Sequence, residues 1–168
     1  MSVRPEHADL TAFGVPVTVS DVRRFWEKVD VTPDHWLWTA ATKGRGYGSF
    51  WFAGALRLAH RFAFEMLVSP LTPGAEVDHK CHTHNCVNPN PEHLRPTTRG
   101  ENAQNLLLDE SRTRGVDWRP DRRKWRARVE VGNVVKHLGH FADRRDAEAA
   151  AVAGRNQMMT HNQERKCA

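Results

Sequence analysis

Asp78-His79-Lys80-Cys81-His82-Thr83-His84-Asn85-Cys86-Val87-Asn88-Pro89-Asn90-Pro91-Glu92-His93-Leu94-Arg95-Pro96-Thr97-Thr98-Arg99-Gly100-Glu101-Asn102-Ala103-Gln104-Asn105 is the stretch around which the rest of the chain is organised. It concentrates Asp, His, Cys and Asn in a span with few apolar side chains, so burial alone does not hold it together. Cys81 and Cys86, followed by His93, have the residue types and close spacing of ligands that converge on a metal from one looped turn. Asp78 and His79 stand immediately outside that knot, where it would hold them rigid.

The same residues carry a family resemblance. Asp78-His79, a Cys-x4-Cys loop, Asn88-Pro89, His93-Leu94 and then Glu101-Asn102 resemble the ββα-metal motif of HNH nucleases. The version with paired cysteines is similar to phage-type HNH endonucleases and to the zinc-bearing His-Cys box homing endonucleases. Pro89-Asn90-Pro91 is longer than that pattern. The resemblance implies Asp-His on a strand, a zinc knot in the loop and the final Asn on a following helix. It implies His79 as general base, with Asp78 and Asn102 holding Mg²⁺ (Mn²⁺ is the expected substitute), and products with 5′-phosphate and 3′-hydroxyl ends. His93 holds the middle, orienting position of the HNH pattern, yet its place after the two cysteines suits zinc ligation. A tetrahedral zinc site needs a fourth ligand. His60 is expected there because related nucleases take theirs from upstream of the motif; His82 and His84 are the alternatives.

Imidazole, carboxylate and carboxamide fit these roles chemically. A histidine near neutrality takes a proton from water, and the oxygens of Asp78 and Asn102 are hard donors suited to Mg²⁺. Each residue taken singly has a plainer reading: a hydrogen-bonded pair for Asp78-His79, a helix or turn residue for Asn102, a packed histidine for His60.

The chain has 168 residues, room for one ordinary domain or two small ones. Its mean hydropathy is −0.66, and no apolar run approaches the roughly 20 residues of a membrane span. No signal-peptide pattern opens it. Three cysteines, two of them in the metal-like cluster, fit reduced thiols and not a disulfide scaffold. Cys167 is expected to be an unpaired, exposed thiol. Cytoplasmic location, in a phage-infected bacterial host, follows as the expectation. Net charge is +5, but residues 111–168 hold 14 Lys/Arg against 7 Asp/Glu. The basic excess therefore belongs to the C-terminal third, as in a polyanion-binding module attached to something else.

Residues 1–20 show no periodicity and are expected to be a flexible lead. Asp21 is a candidate N-cap for a helix reaching Val29, with Val22, Phe25, Trp26 and Val29 at helical spacing. Trp36-Leu37-Trp38 predicts a strand, Tyr47–Phe52 and Leu56–Leu58 a hairpin across Ala53-Gly54, and His60–Val68 a helix with Phe62, Ala63 and Met66 inward. Arg61 has two readings, a contact to DNA phosphate or a solvated helix charge. The nuclease domain is placed at 21–108, its last helix running from Asn102 to Leu108, with a linker over 109–113.

The second domain is expected over 114–160, with a tail over 161–168. Strands are predicted at 114–118, at Lys124–Val131 and at Val134–His140, then a helix from an Asp143 N-cap to about Met158. Arg114-Gly115-Val116-x-Trp118, Lys124-Trp125-Arg126-Ala127, Leu138-Gly139-x-Phe141 and the Ala-rich helix resemble the ethylene-response-factor (Apetala) DNA-binding domain. Strand alternation puts Arg126 and Arg128 opposite Trp125, Ala127 and Val129. The arginines are expected to face DNA, together with Arg114 or Arg119 and with Lys136 or His137.

The expected fold is therefore α+β: a zinc-braced ββα-metal core followed by a small three-stranded antiparallel sheet packed on one helix. Its expected activity is hydrolysis of phosphodiester bonds in double-stranded DNA, by nicking or double-strand cleavage. The rival is a zinc-stabilised DNA-binding regulator without catalysis. Monomer and homodimer are both open.

Overall fold

The structure, a computed structural model, describes residues 10–105 and 114–161. The expected lead over residues 1–9, the end of the motif helix, the 109–113 linker, the tail from 162 and Cys167 lie outside the described residues. The chain divides into two compact units, the second beginning at Arg99.

The first unit opens with a hairpin, β1 (Thr11–Ala12) and β2 (Val15–Pro16). Part of the expected flexible lead is thus folded. Ala12 is buried in the core, and the Phe13 amide donates to the Glu65 carboxylate at 2.6 Å. Helix α1 (Val19–Trp26) follows, capped by Thr18 and not by Asp21. Thr18 Oγ1 accepts from the Asp21 amide while Asp21 returns its carboxylate to the Thr18 amide, a reciprocal capping box. Strands β3 (Val29–Val31) and β4 (Trp36–Trp38) pair antiparallel, as do β5 (Thr42–Lys43), β6 (Tyr47–Phe52) and β7 (Ala55–Leu58) in a three-stranded sheet.

The interior of this unit is mainly aromatic, built from Phe25, Trp38, Phe50, Phe52 and Phe62. Phe25 sits at its centre, with ring centroids 5.1 Å from Phe62, 5.5 Å from Trp38 and 5.6 Å from Phe50. These tilted and edge-on contacts suit the ring quadrupoles. Gly48 makes that packing feasible, since a Cβ there would meet the Trp38 ring at 2.7 Å.

Helix α2 (Ala59–Leu67) is buried on two sides. Ala59, Phe62, Ala63 and Met66 join the aromatic cluster, while Phe64 packs with Val77 and Leu94. Val77 and Leu94 belong to the antiparallel hairpin of β8 (Glu76–His79) and β9 (Leu94–Thr97). One helix therefore seats the Asp78-His79 strand against the main core.

The second unit begins with α3 (Arg99–Gln104), ahead of the expected 108–114 boundary. Gln104 explains the grouping: its carbonyl accepts from Arg114 Nη1 at 3.2 Å, and its side chain accepts from the His161 amide at 3.1 Å. Strands β10 (Val116–Arg119), β11 (Lys124–Val131) and β12 (Val134–Phe141) form an antiparallel sheet in that order. Helix α4 (Arg144–Met158), capped by Asp143, packs Ala147 and Ala151 against Ala127. Gly154 continues this close approach, where an added Cβ would stand 2.6 Å from Leu138.

A register shift separates Ala127↔Gly139 from Arg128↔His137, so Leu138 is the extra residue of a β-bulge on β12. Gly115, at φ +82°, has no room for a side chain: its Cβ would fall 2.1 Å from the Arg128 carbonyl oxygen. No helix among the described residues is long and apolar enough to cross a membrane.

Candidate metal centre and active site

Four side chains converge beside the Asp78-His79 strand: His35, Cys81, Cys86 and His93, whose ligand atoms all lie within 4.8 Å of one another. Zinc bonds of about 2.0–2.3 Å make tetrahedral edges of roughly 3.3–3.8 Å, and Cys86 Sγ is 3.8 Å from His93 Nδ1. The donors are the soft S and N set that zinc favours. His35 Nδ1 adds an independent sign, being buried without a hydrogen-bond partner among the described residues. A buried polar nitrogen left unbonded is costly, and a metal would take its lone pair. The two sulfurs interact strongly. A hydrogen bond from the Cys86 thiol pulls the Cys81 pKa down to about 4, while Cys81 pushes that of Cys86 up. One thiolate therefore forms readily, and a cation in place of the shared proton would favour the second.

His35 reaches the group because β4 pairs with the motif loop. The Trp38 amide donates to the Asn85 carbonyl and the Val87 amide to the Trp36 carbonyl, both at 2.8 Å, around a Leu37–Cys86 bridge. Asn88 and Asn90 side chains brace the following turn by accepting from the Asn90 and Glu92 amides, each at 3.0 Å.

His60, the expected fourth ligand, is not in this group, and His35 takes the place assigned to it. His60 is buried with its ring centroid 4.4 Å from that of His79 and 5.6 Å from that of Tyr47. Burial first, then the neighbouring His79 and Arg61, hold it well below 6.5 and hence neutral. Neither alternative joins the group either. His84 stacks on Tyr47 at 4.6 Å and donates Nδ1–H to the Arg45 carbonyl at 2.8 Å. His82 occupies a left-handed turn at φ 56°.

His79 ends β8 with its ring buried, and its Nε2 lies 2.9 Å from the Cys86 carbonyl oxygen. A carbonyl can only accept, so Nε2 carries the hydrogen and Nδ1 of the neutral ring carries the lone pair. Burial lowers the His79 pKa, partly opposed by that hydrogen bond, which keeps the ring in its neutral, basic form. Asp78 is buried, and Arg95, directly opposite on β9, donates Nε and Nη2 to its Oδ2 at 3.0 and 2.8 Å. Asn102 lies on α3, in the second unit.

His35, Arg95 and Tyr47 are not among the residues that the sequence alone marks for this site. His35 gave a weak signal as a metal-ligating type beside a Trp-rich strand, and Arg95 only its place after His93-Leu94.

The candidate DNA-facing residues have separate settings. Arg61 ion-pairs with Glu65 at 4.0 Å and lies over the Phe13 ring. Arg114 is tied to Gln104. On the sheet face away from α4, Arg119, Arg122, Arg126, His137 and His140 line a concavity of about 270 Å³. Arg128 is paired across the strands with His137, whereas Lys136 is paired with Val129. Directly paired residues share a face, so Lys136 belongs to the helix-side face and not to the expected open one; the bulge at Leu138 sets this phase.

Residues 57–104 match the family model of HNH endonucleases. That segment carries an HNH endonuclease domain, and it supports a nuclease acting on DNA. Neither the curated proteins nor the solved structures include a match to this chain.

Proposed function

We propose that the chain is a metal-dependent endonuclease that hydrolyses phosphodiester bonds in double-stranded DNA. His79 is the general base. The observation that carries this assignment is the hydrogen bond from His79 Nε2 to the Cys86 carbonyl, which leaves Nδ1 as the proton-accepting nitrogen. In the reaction Nδ1 takes a proton from water, the water oxygen bonds to phosphorus, and the bond to the 3′ oxygen breaks. That oxygen leaves with the electron pair and takes a proton from solvent to become the 3′-hydroxyl. General-base assistance of this kind contributes roughly 10²–10⁴-fold.

Cys81, Cys86, His93 and His35 would hold a structural zinc ion, which braces the loop whose carbonyl orients His79. The motif resemblance assigns Asp78 and Asn102 to Mg²⁺, a Lewis acid that neutralises phosphate charge when bound. Arg95 offsets part of the Asp78 charge, so Mg²⁺ affinity should rise once DNA phosphate oxygens add to the donor set. The basic sheet of the second unit positions the enzyme on DNA, chiefly through Arg119, Arg126 and Arg128.

The test is a plasmid-nicking assay of wild type beside His79→Ala, with and without Mg²⁺. Mg²⁺-dependent nicking that the variant lacks supports the reading. DNA binding without cleavage under any condition would instead favour the zinc-stabilised regulator.

A further inference from the structure

Asp117 and Arg126 face each other directly across β10 and β11. Arg126 Nε and Nη2 both donate to Asp117 Oδ1, at 3.1 and 3.0 Å, and Nη2 also reaches Oδ2 at 3.0 Å. The pair is half-withdrawn from solvent, with the Arg126 side chain 18% exposed. The neighbouring guanidiniums differ. Arg119 makes one 3.1 Å contact to Asp121, Arg122 stands 3.8 Å from the same carboxylate, and both are more exposed. Arg126 is therefore the one held along a whole edge, within a face it shares with Arg119, Arg122, His137 and His140.

The locked edge decides what remains for a ligand. A guanidinium has five N–H groups in a rigid fork. With the Nε/Nη2 side turned to Asp117, the end bearing Nη1 and the outer Nη2 hydrogen is left to act, and Nη1 has no hydrogen-bond partner among the described residues. Two parallel N–H groups at that end match the O6 and N7 acceptors of guanine in the major groove. The adjoining carboxylate meanwhile cancels most of the charge that would attract a phosphate. A phosphate-gripping arginine has no use for such a partner, whereas a base-reading one gains from being fixed before DNA arrives.

We propose that Asp117 is a specificity-determining positioning residue, which holds Arg126 to read a guanine edge and keeps it from gripping the DNA backbone. This rests on the second unit's being the DNA-positioning module.

The experiment selects bound sequences from a randomised DNA duplex, using the full chain carrying His79→Ala so that bound DNA is not cut. The same chain is tested with Asp117→Ala, Asp117→Asn and Arg126→Ala added. The expected result is a guanine preference in the parent chain that falls roughly 10-fold or more at one shared position in Asp117→Ala and Arg126→Ala. Asp117→Asn, which keeps an acceptor for the Nε–H, should recover part of it. Binding of Asp117→Ala to unrelated DNA should be equal or tighter, with a steeper salt dependence, because the released cation turns to phosphate. A purely structural ion pair would leave base preference unmoved at every position.

Asp117→Ala retaining the guanine preference overturns the proposal. Arg126→Ala weakening all sequences alike, with a shallower salt slope, overturns it too, by making Arg126 a phosphate contact. A parent chain that selects no sequence and shows no salt-dependent DNA binding overturns the underlying view of the second unit, a result distinct from either of those. Matching thermal melts of the variants establish that each is folded.

Discussion

His79 donates its Nε2 hydrogen to the carbonyl oxygen of Cys86 across 2.9 Å, while the sulfur of that same Cys86 belongs to the four-residue metal group. One residue thus serves the candidate metal with its side chain and the candidate base with its backbone. The protonated nitrogen of His79 is set by the loop that a metal would brace.

His79→Ala should lower Mg²⁺-dependent nicking by roughly 10²–10⁴-fold or more, the range of a lost general base. DNA affinity should stay close to wild type, because the imidazole acts on water. Gel-shift and nicking assays on one preparation check both halves. A variant cutting at near the wild-type rate would remove His79 from the chemistry.

Elemental analysis of the purified chain should find about one zinc per molecule, by the tetrahedral count. His35→Ala should lose that zinc and melt at a markedly lower temperature, since structural zinc contributes roughly 10–16 kcal/mol of apparent binding energy in small domains. His35→Cys, which restores a ligand, should keep the ion. His60→Ala should keep it too, since His60 stands outside the group. Zinc lost from His60→Ala and retained by His35→Ala would reverse the assignment.

Much of this arrangement is legible in the residues themselves. The Cys81-x4-Cys86 spacing and His93 mark three members of the group, and the alternation of Trp125, Ala127 and Val129 with arginines marks β11. His35 is hidden because its partners lie far along the chain, and only the pairing of β4 with the motif loop brings it in. Residues 10–17 show no period because strands of two residues are too short to have one. The phase of β12 depends on a bulge at Leu138, which brings His137 in place of Leu138 opposite Arg128 and Lys136 in place of His137 opposite Val129. Alternation counted from the sequence alone passes straight through such an insertion.

Glu65→Ala should loosen the N-terminal hairpin. Its buried carboxylate accepts the Phe13 amide, at a residue held at φ 54°, and a hydrogen bond to a charged group is worth about 1.5–3 kcal/mol. Limited proteolysis should then cleave near Phe13 faster than in wild type, with the metal content unchanged. An unaltered cleavage pattern would show that the hairpin is held by packing alone.

Arg95→Met leaves the buried Asp78 carboxylate without its cross-strand cation. Breaking a buried pair from one side costs about 3 kcal/mol or more, so chemical denaturation should register a loss of that order. The double variant Arg95→Met, Asp78→Asn should recover part of it. A single variant as stable as wild type would mean that solvent, not Arg95, satisfies Asp78.

His140 should titrate below 6.5. Partial desolvation is the first cause, followed by the guanidiniums of Arg122, Arg119 and Arg126. Arg122→Ala removes the cation with the strongest influence of the three and should move the imidazole back up toward 6.5 in an NMR titration. An unchanged midpoint would mean that the three arginines do not share one field.

The HNH match begins at residue 57, whereas His35 lies upstream of it, immediately before β4. Completing the metal group therefore means closing the chain between positions 35 and 81, and the entropy of that closure is met only when β4 has docked on the motif loop. A fragment cut at the boundaries of the match would keep three ligands and lack the fourth, so it should bind zinc more weakly than the whole chain. Folding follows the same connectivity: the motif loop can collect its two cysteines and His93 early, but the last ligand waits on a long-range contact. The smallest fragment expected to bind zinc as tightly as the whole chain then reaches back past residue 35.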